Sequence, residues 1–189
     1  MINISREELI EFLKAWLAIS LAFTILLRNM NIGLVNVFLI STMTVGIGIV
    51  LHELAHKLIA EYYRCRAEFK SDNKMLIAAL LMAFLGFIFV VPGAVHIKGY
   101  VTRAQSGIIS LFGPLTNLVL ALLFIPFLYL EGLFFVVGYF GFMINSFLGL
   151  FNMIPFGPFD GAKVWIWNKV AYVVTAIILL IMTISSYLI

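Results

Sequence analysis

His52, Glu53 and His56 fall in the run His52-Glu53-Leu54-Ala55-His56, near the end of a long apolar stretch that begins at Leu34. On a helix, positions four apart share a face and lie about 6 Å apart along the axis. Two imidazoles so placed can bind one zinc ion, and the carboxylate beside them can act as base toward a water on that ion. Four-residue spacing is common in any helix, so the motif takes its weight from its setting. Ionisable groups in lipid-like surroundings are costly and persist there when paired and functional. These residues indicate a metal site inside a membrane.

A catalytic zinc takes three protein ligands and keeps one position for water. Glu61 lies beyond His56 by about 140° of helical rotation, which turns it away. Glu68 and Asp72 sit in a basic stretch where solvated ion pairs account for them. His96, on a short strand-like segment, reads more simply as a surface or packing residue. Asp160 differs. It ends the Pro- and Gly-rich break Asn152-Met153-Ile154-Pro155-Phe156-Gly157-Pro158-Phe159-Asp160-Gly161, which follows an apolar helix. Irregular backbone at membrane depth persists only where it is buried in protein or lines a cavity. His52, His56 and Asp160 therefore make the best ligand set, with Glu53 as base.

The elements that must position these residues are membrane spans. Of 189 residues, 63% are hydrophobic and 11% charged, more apolar surface than a soluble domain of this size can hide. The expected fold is an all-α polytopic membrane protein with five to six transmembrane segments. It is read as a single membrane-embedded domain over 1–189, with a core at 34–161 and flanking helices at 5–27 and 170–189. Ser5-Arg6-Glu7-Glu8 fits a capping box that starts the first helix. The acids Glu7, Glu8 and Glu11 argue against a cleavable signal. Further spans are expected near 34–56, 105–130, 133–153 and 170–189, with Trp165 and Trp167 suited to an interfacial belt. Lys57 to Lys74 reads as a solvated, mainly basic loop. Ala94–Ile97 and Tyr100–Thr102 flank Lys98-Gly99 as a small membrane-associated β-hairpin near 92–102. The lone Cys65 excludes an internal disulfide, and a net charge of +3 with scattered carriers excludes nucleic acid as a partner.

The ligands constrain the topology. The zinc motif and Asp160 each lie at the exit end of a helix, so those helices must leave on the same side. The spans at 105–130 and 133–153 cancel, and the apolar segment 75–91 must then turn back. The basic residues agree. With a full crossing they divide seven to five between the faces, whereas with a return only Arg28 of the 12 lies opposite. The positive-inside rule favours the return and puts the site near the cytoplasmic face.

The chain resembles the site-2 protease family of intramembrane zinc metalloproteases. The resemblance rests on HELAH at 52–56, GPLTN at 113–117, and the pattern of Asn152, Pro155, Pro158, Asp160 and Gly161, in the family's order. It implies peptide-bond hydrolysis within the membrane, with His52, His56 and Asp160 on one catalytic Zn2+ and Glu53 as general base. It also implies that Asn152 holds the region of the scissile carbonyl, and that the 92–102 segment pairs with an extended substrate strand. The implied partners are the bilayer and a transmembrane segment of a membrane-protein substrate, and the implied location is a prokaryotic cell membrane. Ala162 stands where the family has a second glycine, and Gly157 where a proline is frequent. Neither position carries a ligand. No inserted PDZ-like domain or C-terminal sensor domain is visible. Gly113-Pro114 and Asn117 read first as helix packing, with Asn117 bonding across helices.

Other readings are weaker. A metal transporter needs polar groups along a path through the bilayer, and the last span offers almost none. A di-iron oxygenase needs more than the 3 histidines present. A catalytically inactive relative keeps the same ligands, but every expected catalytic residue is in place.

Overall fold

A computed structural model gives the fold and describes residues 4–88 and 92–189. Helix α1 (Arg6–Leu26) begins at Ser5, whose side chain accepts from the Glu8 amide at 3.1 Å. At 1.5 Å per residue it is about 31 Å long, the thickness of a hydrocarbon core. The second span, Leu34–Tyr62, combines α2 (Leu34–Ser41), one π turn (Thr42–Gly46) and α3 (Ile47–Tyr62). A π turn releases main-chain groups from the regular ladder, and the Trp16 indole of α1 donates to the Thr42 carbonyl at 3.2 Å.

Strand β1 (Arg66–Ser71), helix α4 (Asn73–Phe84) and strand β2 (Gly93–Lys98) follow. Then come α5 (Arg103–Phe124) with a 3-10 turn (Ile125–Tyr129), α6 (Leu133–Asn152), α7 (Asp160–Trp167) and α8 (Lys169–Ser186). Among the described residues, five helical stretches are long and apolar enough to cross a membrane. They lie close to the expected segments, because a lipid-facing helix needs nothing beyond its apolar length to be recognised.

The segment after β1 is the exception to crossing. Helix α4 spans only about 18 Å, too short for a bilayer of about 30 Å. Its surroundings return it to where it started: β1 and β2 pair antiparallel with Ser71 opposite Gly93, and the Asp72 amide donates to the Pro92 carbonyl at 2.9 Å. The apolar segment expected to turn back does so, although its residues 89–91 lie outside the described ones. On the way in, Ala79 and Ala83 pack with Ile19 and Ala22 of α1.

Two local expectations need correction. The small sheet is present, but the partner of β2 is residues 66–71, not 100–102. Thr102 instead caps α5 in a capping box with Gln105. Ala67 and Phe69 alternate with Glu68 and Lys70, which gives 66–71 one apolar face, and Phe69 stacks on Phe12 of α1. The stretch from Lys57 is therefore not a solvated loop. Lys57 is 1% exposed on α3, and β1 lies within the supposed loop.

The sheet, the start of α5, the ends of α3 and α6, and α7 gather at one end of the bundle. Ala60 of α3 packs with Ala67 of β1 and Ile109 of α5, and Arg103 donates to the Ile166 carbonyl of α7.

Candidate metal centre

Helix α3 turns His52 and His56 to the same side, and α7 delivers Asp160 at its first residue. The break before α7 folds back tightly: a Cβ on Gly161 would collide with the Met153 carbonyl, so that position admits only glycine. The three ligand atoms form a nearly equilateral triangle. His52 Nε2 lies 3.1 Å from His56 Nε2, and Asp160 Oδ2 lies 3.2 Å from the first and 3.0 Å from the second. All three residues are buried.

Each imidazole is held from behind. His52 Nδ1 is 2.6 Å from Asn117 Oδ1, and His56 Nδ1 is 2.8 Å from the Ile109 carbonyl. The Asn117 amide group donates to the Gly48 carbonyl at 3.2 Å and to Asn145 Oδ1 at 3.1 Å, which leaves its oxygen facing His52. Asn145 in turn donates to the Gly141 carbonyl. Both Nδ1 atoms therefore donate, and both Nε2 atoms present lone pairs to each other and to the carboxylate. Unprotonated nitrogens converging with a carboxylate form a donor set for a cation. Donor atoms around a tetrahedral zinc lie about 3.3 Å apart, close to the edges seen here. Gly113 keeps the space beside them open: a Cβ there would lie 2.5 Å from His56 Nε2 and 2.6 Å from His52 Nε2.

Asp160 lies outside the spans. Burial acts to raise its carboxyl, but the imidazoles of His56 and His52, whenever they carry a second proton, more than reverse this and hold it well below the usual carboxylate range. The candidate ligand is thus a carboxylate.

A cavity of about 360 Å³ opens onto the triangle and is lined also by Glu53, Asn152, Lys163 and the strand β2. A larger one of about 880 Å³ shares Gly93, Ala94, Pro158 and Phe159 with it and continues past the strand. Glu53 is buried beside the ligands, with a hydrogen bond from the Val95 main chain. Asn152 stands on the cavity wall, where its amide donates to the Leu148 carbonyl.

The residues set aside as ligands are elsewhere. Glu61 pairs with Lys57 at 2.9 Å, and His96 is exposed opposite Glu68 on the sheet. Asn117 does bond across helices, and besides Gly48 and Asn145 its partners include a candidate ligand histidine. Asn145 and the Ile109 carbonyl escaped the sequence reading. A polar residue inside the apolar run of α6 was the one available signal for Asn145.

No family model matches the chain, and no solved structure matches it. A protein of Methanocaldococcus jannaschii named "Putative zinc metalloprotease MJ0611" is 38% identical over 178 residues, which cover 92% of this chain and 91% of that one. Identity at that level over nearly the whole of both chains is a family relationship, and the chain belongs to the zinc metalloprotease family that includes this archaeal protein.

Proposed function

We propose that this chain is a compact intramembrane metalloprotease of the site-2 type, which hydrolyses peptide bonds in or near transmembrane helices of other membrane proteins. One observation carries the reading. The His52–His56–Asp160 triangle and Glu53 open into a cavity whose wall is the strand β2, at one end of a bundle of membrane-length helices.

His52, His56 and Asp160 would hold a zinc ion, which when bound would supply Lewis acidity toward a water and the scissile carbonyl. Glu53 takes the proton from the attacking water and passes it to the leaving amine. A membrane helix shields its amides in internal hydrogen bonds, so the substrate must unwind locally to react. Pairing along β2 replaces some of the lost backbone bonds. Asn152, on the same wall, steadies the region of the scissile carbonyl.

The basic residues support an active site on the cytoplasmic side of the membrane, with Arg28 alone on the opposite side, and a prokaryotic cell membrane is part of the same reading. The lipid bilayer and a substrate transmembrane segment are the partners of this reading, and nucleic acid is not.

The test incubates zinc-loaded protein in proteoliposomes with a panel of membrane-protein segments and maps the products by mass spectrometry. Cuts inside apolar stretches support the reading. Cuts confined to soluble loops, or no cuts in any segment, contradict it.

A further inference from the structure

The sheet beside the metal site has two edges, one fastened to the helices and one facing the metal cavity. In an antiparallel pair, alternate residues point their main-chain groups toward the partner strand and away from it. The outward residues of β1 are Ala67, Phe69 and Ser71, and each is already occupied. The Ala67 carbonyl accepts from Lys57 Nζ at 2.7 Å, the Phe69 amide donates to Glu8 Oε1 at 2.9 Å, and the Ser71 amide donates to Glu11 Oε2 at 3.2 Å. The Ser71 hydroxyl also donates to Glu11. By the same alternation the outward residues of β2 are Gly93, Val95 and Ile97; the Val95 main chain meets Glu53 of the candidate site, and all three line the metal cavity.

The occupied edge is fastened by a buried ion cluster. Lys57 Nζ lies 2.9 Å from Glu8 Oε2 and 2.9 Å from Glu61 Oε1, so with Ala67 its three protons all have acceptors. Glu8 is 2% exposed and Lys57 1%. Buried ion pairs seldom add stability over apolar packing of the same volume, and no step of the hydrolysis uses this one. What it does is geometric. Glu8 belongs to α1 and Lys57 follows His56 directly on α3, so the cluster ties the sheet to the helix that carries the ligands.

We propose that Glu8, Glu11 and Lys57 are positioning residues for substrate. They close β1 as a pairing edge and fix the sheet over α3, so that an extended segment can add only to β2, beside the His52–His56–Asp160 triangle. Helix α1 is then part of the substrate-binding machinery rather than a flanking span. This inference rests on the protease reading above.

The test uses the full chain with Glu53→Gln, loaded with zinc, and a fluorescent peptide of the membrane segment that the wild type cuts fastest. Adding Glu8→Gln, which keeps an acceptor for Phe69 but removes the charge, is expected to raise Kd by about tenfold, or 1.4 kcal/mol, with zinc content unchanged. In the active protein the same substitution is expected to lower kcat/KM through KM rather than kcat, a split that general loosening of the fold would not give. Hydrogen exchange at Phe69 and Ser71 should speed up in parallel. Should Glu8→Gln fail to fold, Glu11→Gln with Ser71→Ala, at the less buried end of the edge, carries the same expectation. An unchanged Kd in a zinc-loaded variant overturns the inference and leaves the protease reading standing. A wild type that cuts no segment overturns that reading and the inference with it.

Discussion

Asn117 Oδ1 lies 2.6 Å from His52 Nδ1, so a carboxamide on α5 sets the tautomer of a candidate metal ligand on α3. The contact is buried, and a second carboxamide, Asn145 of α6, holds the first in place. Three spans thus meet behind one imidazole. Replacing Asn117 by Ala removes the acceptor and frees the ring to turn. Losing such an outer partner costs about 10–100-fold in metal affinity, so competition with a chelator of known zinc affinity should show a loss in that range for Asn117→Ala.

Gly113 should be intolerant for a different reason. Alanine is the better helix former by about 1 kcal/mol, so Gly113→Ala on its own favours α5. Its methyl group, however, would lie 2.5 Å from His56 Nε2. The expected outcome is helical content kept and zinc lost, read by circular dichroism and metal analysis on one sample. A variant that retains full zinc would show that the ligands have room to move.

The turn back between β1 and β2 can be tested from outside. With Cys65 replaced by Ser, single cysteines at Lys74, Lys98 and Lys163 should react with a membrane-impermeant thiol reagent from one side of sealed vesicles. A cysteine at Arg28 should react only from the other side. Labelling of Lys74 and Lys98 from opposite sides would mean that the intervening segment crosses.

The grouping of His52, His56 and Asp160 was legible because its signals are local. The spacing of His52 and His56 needs only a helix, and Asp160 needs only a break at the end of another. The long spans were legible for a similar reason, since apolar length suffices. The failures came where a side chain or strand chose a distant partner. Ser5 caps α1 as the sequence suggests, but Glu8 does not close the capping box, because its carboxylate is taken by Lys57 and the Phe69 amide. Strand β2 does not pair with the nearest candidate, because the apolar face of 66–71 gives a longer ladder across the α4 excursion. Lys57 looked like the start of a solvated loop, since nothing nearby in the chain announces that Glu8 and Ala67 will close over it. Asn117 was seen, but only the fold shows that it faces His52.

The loop that delivers Asp160 depends on Gly161, which has no room for a Cβ against Met153. Gly161→Ala should displace Asp160 and lower zinc affinity by at least about tenfold, the scale expected when a ligand's support is lost. Thermal denaturation with and without added zinc checks this. The stabilisation that zinc gives the wild type should shrink in the variant.

Proton transfer by Glu53, beside a zinc that His52, His56 and Asp160 would hold, is the step on which the proposed function turns. The most direct measurement is the single-turnover cleavage rate of a mapped membrane segment by Glu53→Gln protein shown to contain one zinc per chain. Removing a positioned general base costs roughly 10²–10⁴-fold, and a loss in that range with zinc intact is the predicted result. A zinc-loaded Glu53→Gln protein that cuts as fast as the wild type would contradict the account.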